Sequence, residues 1–171
     1  KGLKKNSLFG NTVKQEQEDV DVFCEKIITG NKAKKTDDFM IFARIESLIL
    51  QKGMDDALKR AKSYVSHGAD GIMIHSKESK PKEVFEFSKK FRKIFKNVPL
   101  ICVPTSYNSV KEIELIKNNF NLVIYANHLF RASYPAMLKT AEKILKFGRT
   151  KEIDKSLISI KKILELIPGT K

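Results

Sequence analysis

The chain has 171 residues, of which 42% are hydrophobic and 31% charged, with a formal net charge of +13 and a pI near 9.7. That length supports one ordinary hydrophobic core and leaves no room for two well-formed domains, so a single unit over 1–171 is expected. No run approaches the roughly 20 apolar residues of a membrane span, and the lysines alternate with acids (Lys82, Lys89, Lys90 and Lys93 beside Glu83 and Glu86) without the glycine/aromatic pattern of an RNA-binding sheet.

The first eleven residues, with Lys4, Asn6, Ser7 and Gly10, read as the tail of a polar catalytic loop. There is no initiator Met or apolar leader, so the sequence is expected to be the C-terminal part of a longer polypeptide. The spacing of Val20, Phe23 and Ile27 predicts a helix over 15–28. Four short, continuously apolar runs follow, at 39–44, 71–75, 99–103 and 121–126. Such runs suit parallel strands buried on both faces rather than the alternation of a half-exposed antiparallel sheet.

Between the runs lie amphipathic segments at 54–65 (Leu58, Ala61, Val65 inward), 81–95 (Val84, Phe87, Phe91, Ile94) and 109–118 (Val110, Ile113, Ile116). Helices are also predicted over 134–147 and 153–166. Gly68 and the pair Asn118-Asn119 supply helix stops, and Pro81 suits a first turn. Strand and helix alternate at about thirty residues per unit, the length of right-handed βαβ units. Four such units predict an α/β fold, the C-terminal half of a (β/α)8 TIM-type barrel, with additional C-terminal helices.

In a barrel, reactive groups come from the C-terminal ends of strands and the loops after them. Arg44 closes the first run, His75 the second, Thr105 and Tyr107 follow the third, and Asn127 and His128 the fourth. A guanidinium at the end of an apolar strand demands an anion, which is either an internal carboxylate such as Glu46 or a substrate carboxylate or phosphoryl group held by the planar fork. Glu46, two residues on, shares a side of the extended chain and could orient Arg44 or hold a metal-bound water. His75 is either a structural ring or a donor to a phosphoryl oxygen and a proton-transfer group. Cys24 and Cys102 sit in apolar runs and belong to no Cys-x-x-Cys pair, so both are expected to be reduced core residues in a cytoplasmic protein.

The segments Lys4-x-Asn6-Ser7-Leu-Phe-Gly, Phe42-Ala-Arg44-Ile-Glu46, Gly53-Met-Asp-Asp-Ala-Leu-Lys-Arg-Ala61, Gly68-Ala-Asp-Gly-Ile-Met-Ile-His75-Ser76-Lys77, Val103-Pro104-Thr105-x-Tyr107 and Ala126-Asn127-His128-x-x-Arg131-Ala132-Ser133 together resemble the phosphoenolpyruvate mutase family of the isocitrate lyase superfamily. The resemblance covers the second half of that family's barrel, entered partway through the gating loop. The superfamily's lyases carry Lys-x-Cys-Gly-His in that loop, and this chain has Asn6, Ser7 and Leu8 instead, with no thiol for the catalytic acid. Phosphonopyruvate hydrolases tend to replace the loop Asn, so Asn6 points to the mutase.

The resemblance implies interconversion of phosphoenolpyruvate and phosphonopyruvate in phosphonate biosynthesis, with Mg²⁺ holding the pyruvyl part. Its ligands would lie in the missing N-terminal half, and the fragment alone would be inactive. By the same resemblance, Asn6, Arg44 and His75 are the catalytic residues. Lys4 and Ser7 join Arg44 and His75 in substrate binding, while Glu46, Thr105 and Asn127 support the site. The C-terminal helices resemble those the superfamily exchanges between subunits, which implies a homo-oligomer. A phosphonopyruvate hydrolase is one alternative, and a noncatalytic basic module binding nucleic acid or another polyanion is the other, recognisable by affinity falling steeply with salt.

Overall fold

The computed structural model describes residues 15–169. The chain divides into two compact units, with the boundary between Ala126 and Asn127. The first unit carries helix α1 (Val20–Ala33), strand β1 (Phe42–Ile45), helix α2 (Gly53–Ser66), strand β2 (Gly71–Ile74), helix α3 (Lys82–Ile94), strand β3 (Leu100–Cys102), helix α4 (Glu112–Lys117) and strand β4 (Leu122–Val123). The strands form one parallel sheet in the order β1-β2-β3-β4. Sequential neighbours joined by helices are the arrangement of consecutive βα units.

The register sets the two faces of this sheet. Phe42, Ala43, Arg44 and Ile45 pair with Gly71, Ile72, Met73 and Ile74, while Ile72 and Ile74 pair with Leu100 and Cys102. Ala43, Ile45, Ile72, Ile74, Leu100 and Cys102 form the core with Ala57, Ala61 and Tyr64 of α2 and Val84, Phe87 and Phe91 of α3. Because successive side chains alternate, Arg44, Met73 and Ile101 project to the opposite face, away from the helices.

Local chemistry explains the element boundaries. Asp19 caps α1, its carboxylate accepting from Asp21 N at 2.9 Å and Val22 N at 3.2 Å, so the helix starts five residues later than periodicity predicts. Gly68, at φ +96°, ends α2. Gly71 lies so close to its neighbours that a Cβ there would stand 2.3 Å from the Phe42 ring and 2.9 Å from Pro99 O. The first strand starts at Phe42 rather than 39, because Ile41 is tied to Asp70 on both sides: Ile41 N donates to Asp70 Oδ2 at 2.6 Å and Asp70 N to Ile41 O at 2.8 Å. Phe39 and Met40 are exposed.

Three assignments of helical face differ from the sequence reading. In α4 the buried residue is Leu115, whereas Ile113 and Ile116 are exposed. A six-residue helix has too few turns to present the stripe expected of 109–118. Ile94 is likewise exposed at the end of α3. In α2 the fully buried positions are Ala57, Ala61 and Tyr64, with Leu58 and Val65 only packed against their edge.

The second unit consists of helix α5 (His128–Phe147), a 3₁₀ turn (Asp154–Ser156) and helix α6 (Ile160–Leu166). α5 begins six residues before the predicted start, with Arg131 N donating to Asn127 O at 2.9 Å, so Pro135 lies inside the helix rather than at its first turn. The predicted 153–166 helix is interrupted because Ser159 captures Lys162 N at 3.3 Å and starts a new helix. Neither α5 nor α6 has a buried residue, and Leu129, Leu145, Ile160 and Leu166 are each more than 70% exposed.

Candidate functional site

Arg44, Glu46 and His75 come together at the C-terminal ends of β1 and β2. Arg44 stands opposite Met73 and Ile45 opposite Ile74. One residue further on, Glu46 and His75 therefore occupy the same side of the sheet as Arg44. The Arg44 guanidinium pairs through Nε with Glu46 Oε1. Both are half-buried, with side-chain exposures of 38% and 25%. The internal carboxylate partner is thus present, and the guanidinium still reaches solvent. The other carboxylate oxygen, Glu46 Oε2, is buried without a hydrogen-bond partner among the described residues.

His75 is 3% exposed, and its Nδ1 is buried without a partner among the described residues. Burial, and secondarily the positive charge of Arg44, push its pKa down from 6.5 to about 4. The ring is therefore neutral at pH 7, with one nitrogen able to donate and the other to accept. The folded imidazole titrates near 4 and the unfolded one near 6.5, so the unfolded chain takes up the proton first as pH falls. The stability contributed by the neutral ring is complete above about pH 6.5 and lost toward pH 4. Melting temperature is expected to fall between pH 7 and pH 4.5, and less steeply in His75→Gln; equal slopes would refute a buried neutral ring.

The loop after β2 is held from below. Ser76, fully buried, donates to Glu83 Oε1 of α3 and accepts from Glu78 N at 3.0 Å. This fixes the turn that carries His75. After β3, Thr105 N donates to Val103 O at 2.8 Å, which folds the loop back, and Thr105 is half-buried. Tyr107 is fully buried and lies against the Cys102 thiol, which burial pushes up to about 12. Cys102 thus stays protonated and faces the helices, not the Arg44 side. Cys24 is also a buried free thiol.

Asn127 belongs to the second unit, where it is exposed and caps α5 in the left-handed conformation at φ 53°. Lys4, Asn6 and Ser7 lie outside the described residues. Sequence reasoning missed Ser47 and Asp56, a hydrogen-bonded pair of a fully buried serine and a half-buried aspartate behind Glu46; the polar residue following the Arg-Ile-Glu run was the available signal. Among the described residues, no group of three or more His, Cys, Asp or Glu is placed to hold a metal ion. With Glu46 as the lone carboxylate beside Arg44 and His75, these residues do not make up a Mg²⁺ site. Among the same residues, no helix is long and apolar enough to cross a membrane.

Known proteins match this chain over most of its length. The family model described as phosphoenolpyruvate phosphomutase matches residues 4–145. The phosphonopyruvate hydrolase of Variovorax sp. (strain Pal2) is 34% identical over 167 residues, covering 97% of this chain and 57% of that protein. The phosphoenolpyruvate phosphomutase of Tetrahymena pyriformis is 34% identical over 163 residues, covering 95% and 53%. Among solved structures, a phosphoenolpyruvate phosphomutase from Streptomyces platensis subsp. rosaceus aligns with a TM-score of 0.84 at 36% identity, over 95% of this chain and 55% of that one. A phosphonopyruvate hydrolase in complex with oxalate and Mg²⁺ aligns with a TM-score of 0.79 at 34% identity, over 91% and 54%.

The chain thus spans about half the length of these relatives, their C-terminal part, and its parallel sheet is the corresponding half of a TIM-type barrel. With the match extending over most of its residues, this chain belongs to the phosphoenolpyruvate phosphomutase family.

Proposed function

We propose that this chain carries the phosphoryl-contacting side of a site that interconverts phosphoenolpyruvate and phosphonopyruvate. The observation that carries the reading is the placement of Arg44 beside a buried, neutral His75 on one side of adjacent parallel strands. A migrating phosphoryl group spreads negative charge over its oxygens, so it needs fixed donors and exclusion of water. Arg44 supplies a charged fork and His75 an uncharged donor, while Glu46 limits the motion of the fork. Asn6 guides the group from carbon to oxygen, with Lys4 and Ser7 contributing charge and a hydroxyl. Thr105 supports the site.

Mg²⁺ is the proposed cofactor, polarising the pyruvyl oxygens when bound, and its ligands are expected upstream of this sequence. The proposal draws on the Mg²⁺ and oxalate of the hydrolase complex. We place the protein in the cytoplasm, as a homo-oligomer in which a second copy covers the exposed apolar residues of α5 and α6. Small-molecule substrate, not nucleic acid or membrane, is the intended partner.

A second reading, phosphonopyruvate hydrolysis, is favoured by the Variovorax relative, whose match extends over 97% of the chain. The two reactions differ in the acceptor. In the mutase the P–C bond breaks and a P–O bond forms to the enolate oxygen; in the hydrolase the P–C bond breaks, the phosphoryl group goes to the oxygen of water, and a proton released from that water ends on the enolate carbon to give pyruvate. Incubating the full-length protein with phosphonopyruvate and Mg²⁺ separates them, because the mutase yields phosphoenolpyruvate and the hydrolase yields pyruvate plus phosphate. Formation of neither would overturn the enzymatic reading, and binding to nucleic acid that weakens steeply with salt would replace it with the polyanion module. Asn6→Ala is expected to slow the transfer step by about a hundredfold or more with Mg²⁺ affinity largely unchanged, since one positioned donor to developing charge contributes on that scale. Unchanged turnover would refute its role.

A further inference from the structure

A half-buried polar cluster built around one fully buried serine lies behind the Arg44–Glu46 pair. Ser47 is fully buried and donates through Oγ to Asp56 Oδ2 at 2.6 Å. The same carboxylate oxygen accepts from Arg60 Nε at 3.1 Å, and Arg60 Nη1 donates to Glu18 O and to Tyr64 OH, both at 2.9 Å. The Gln17 amide completes the cluster. With its carbonyl toward Ser47 N (3.1 Å) and Arg60 Nε (3.2 Å), its NH₂ meets Asp56 Oδ2 at 3.2 Å.

The backbone around Glu46 is tied down as well. Leu50 N donates to Glu46 O at 2.9 Å and Lys52 N to Ser47 O at 2.8 Å, closing a tight turn with Gln51 in the left-handed region at φ 57°. Satisfying the one desolvated hydroxyl of Ser47 takes a single partner, so four interlocked polar side chains are more than filling the space behind a strand end requires. What the cluster provides is direction. Hydrogen bonds fix the Ser47 side chain and backbone, and Glu46, one residue away, presents its carboxylate to Arg44 on the other side of the chain.

We propose that Ser47 and Asp56 are positioning residues for the Arg44–Glu46 clamp: they hold the turn after β1 so that the guanidinium meets the substrate anion in one orientation. The proposal rests on the phosphoryl-contacting reading of Arg44. Neither residue touches substrate, and their effect passes through Glu46 to Arg44.

The test is a mutant cycle in the full-length protein, with phosphonopyruvate as substrate. Ser47→Ala is expected to lower kcat/KM by about tenfold to a hundredfold, the scale of a misplaced catalytic group. Asp56→Asn, which keeps an oxygen for Ser47, is expected to recover most of what Asp56→Ala loses. In an Arg44→Ala background, Ser47→Ala should cost little more, because the group it positions is gone. Equal losses in both backgrounds would assign Ser47 a general structural role and overturn the proposal. A crystal structure of Ser47→Ala supplies a readout independent of turnover: a displaced Arg44–Glu46 pair supports the proposal, and an unmoved pair refutes it. Absence of turnover in the wild type would instead overturn the substrate reading, leaving the positions of Arg44 and Glu46 in that crystal to decide this one.

Discussion

Arg44→Lys in the full-length protein is expected to reduce kcat/KM for phosphonopyruvate by about a hundredfold to a thousandfold, with little change in melting temperature. The magnitude is that of removing one preorganised donor from developing negative charge. Lysine keeps the positive charge and can still reach Glu46, so the ion pair is not the issue; a pair this exposed contributes only about 1 kcal/mol to stability. What is lost is the planar fork, whose parallel N–H groups grip two oxygens at once while an ammonium grips as a point charge. Steady-state kinetics beside thermal melting separate the two roles. Near-normal kcat/KM would reduce Arg44 to an internal ion-pair partner.

His75 provides the companion observation. Its depressed pKa has burial as the larger cause and Arg44 as the smaller. Arg44→Ala should therefore raise it only part of the way from about 4 toward 6.5, as followed by NMR titration of the ring. Under the proposed function the pairing has a logic: a cation next to a neutral donor would present two kinds of hydrogen bond to a phosphoryl group without the mutual repulsion of two cations.

The fold was legible where the sequence carried period and length together. Each of the four continuously apolar runs overlaps a strand of the parallel sheet, and each helix of the first unit lies largely within or overlaps its predicted segment. Boundaries failed where a tertiary hydrogen bond decided them. Asp70, nearly thirty residues from Ile41, holds that residue's backbone and delays β1, and nothing in the local pattern of 39–44 could announce it. Face assignment failed in α4 because two β-branched isoleucines suggested a stripe that Leu115 alone occupies.

The juxtaposition of Arg44, Glu46 and His75 was legible to the extent that barrel geometry turns strand ends into addresses. Arg44, Glu46 and His75 could be found by asking which polar residues close apolar runs. Ser47 and Asp56 could not be found that way, because a serine after a strand and an aspartate in a helix's first turn are common features of chains with no such cluster. Their meaning depends on Gln17 and Glu18 arriving from thirty to forty residues upstream.

Arg92→Ala is expected to cost about 3 kcal/mol of folding stability while leaving kcat and KM unchanged at temperatures where the variant is folded. Arg92, near the C-terminal end of α3, donates through Nη1 to Val98 O at 2.6 Å and to Phe95 O and Lys96 O at 3.3 Å. Its Nη2 reaches Asn119 O at 2.7 Å and Asn121 Oδ1 at 2.6 Å, and that amide oxygen also accepts from Leu100 N at 2.9 Å. One guanidinium thus ties the turn before β3 to the turn before β4, at the N-terminal ends of the strands, opposite Arg44. Charged hydrogen bonds contribute roughly 1.5–3 kcal/mol each when buried, but water reaches several of these carbonyls and recovers part of the loss, so the total is far below their sum. Arg92→Lys should regain less than half, since one ammonium cannot span carbonyls on both turns. In (β/α)8 barrels generally, the N-terminal ends of the strands serve stability and the C-terminal ends chemistry. Denaturant midpoints and kinetics measured on the same preparations decide the matter: a loss under about 1 kcal/mol, or a fall in kcat with stability intact, would show that the two arginines do not divide their work between the two ends of the sheet.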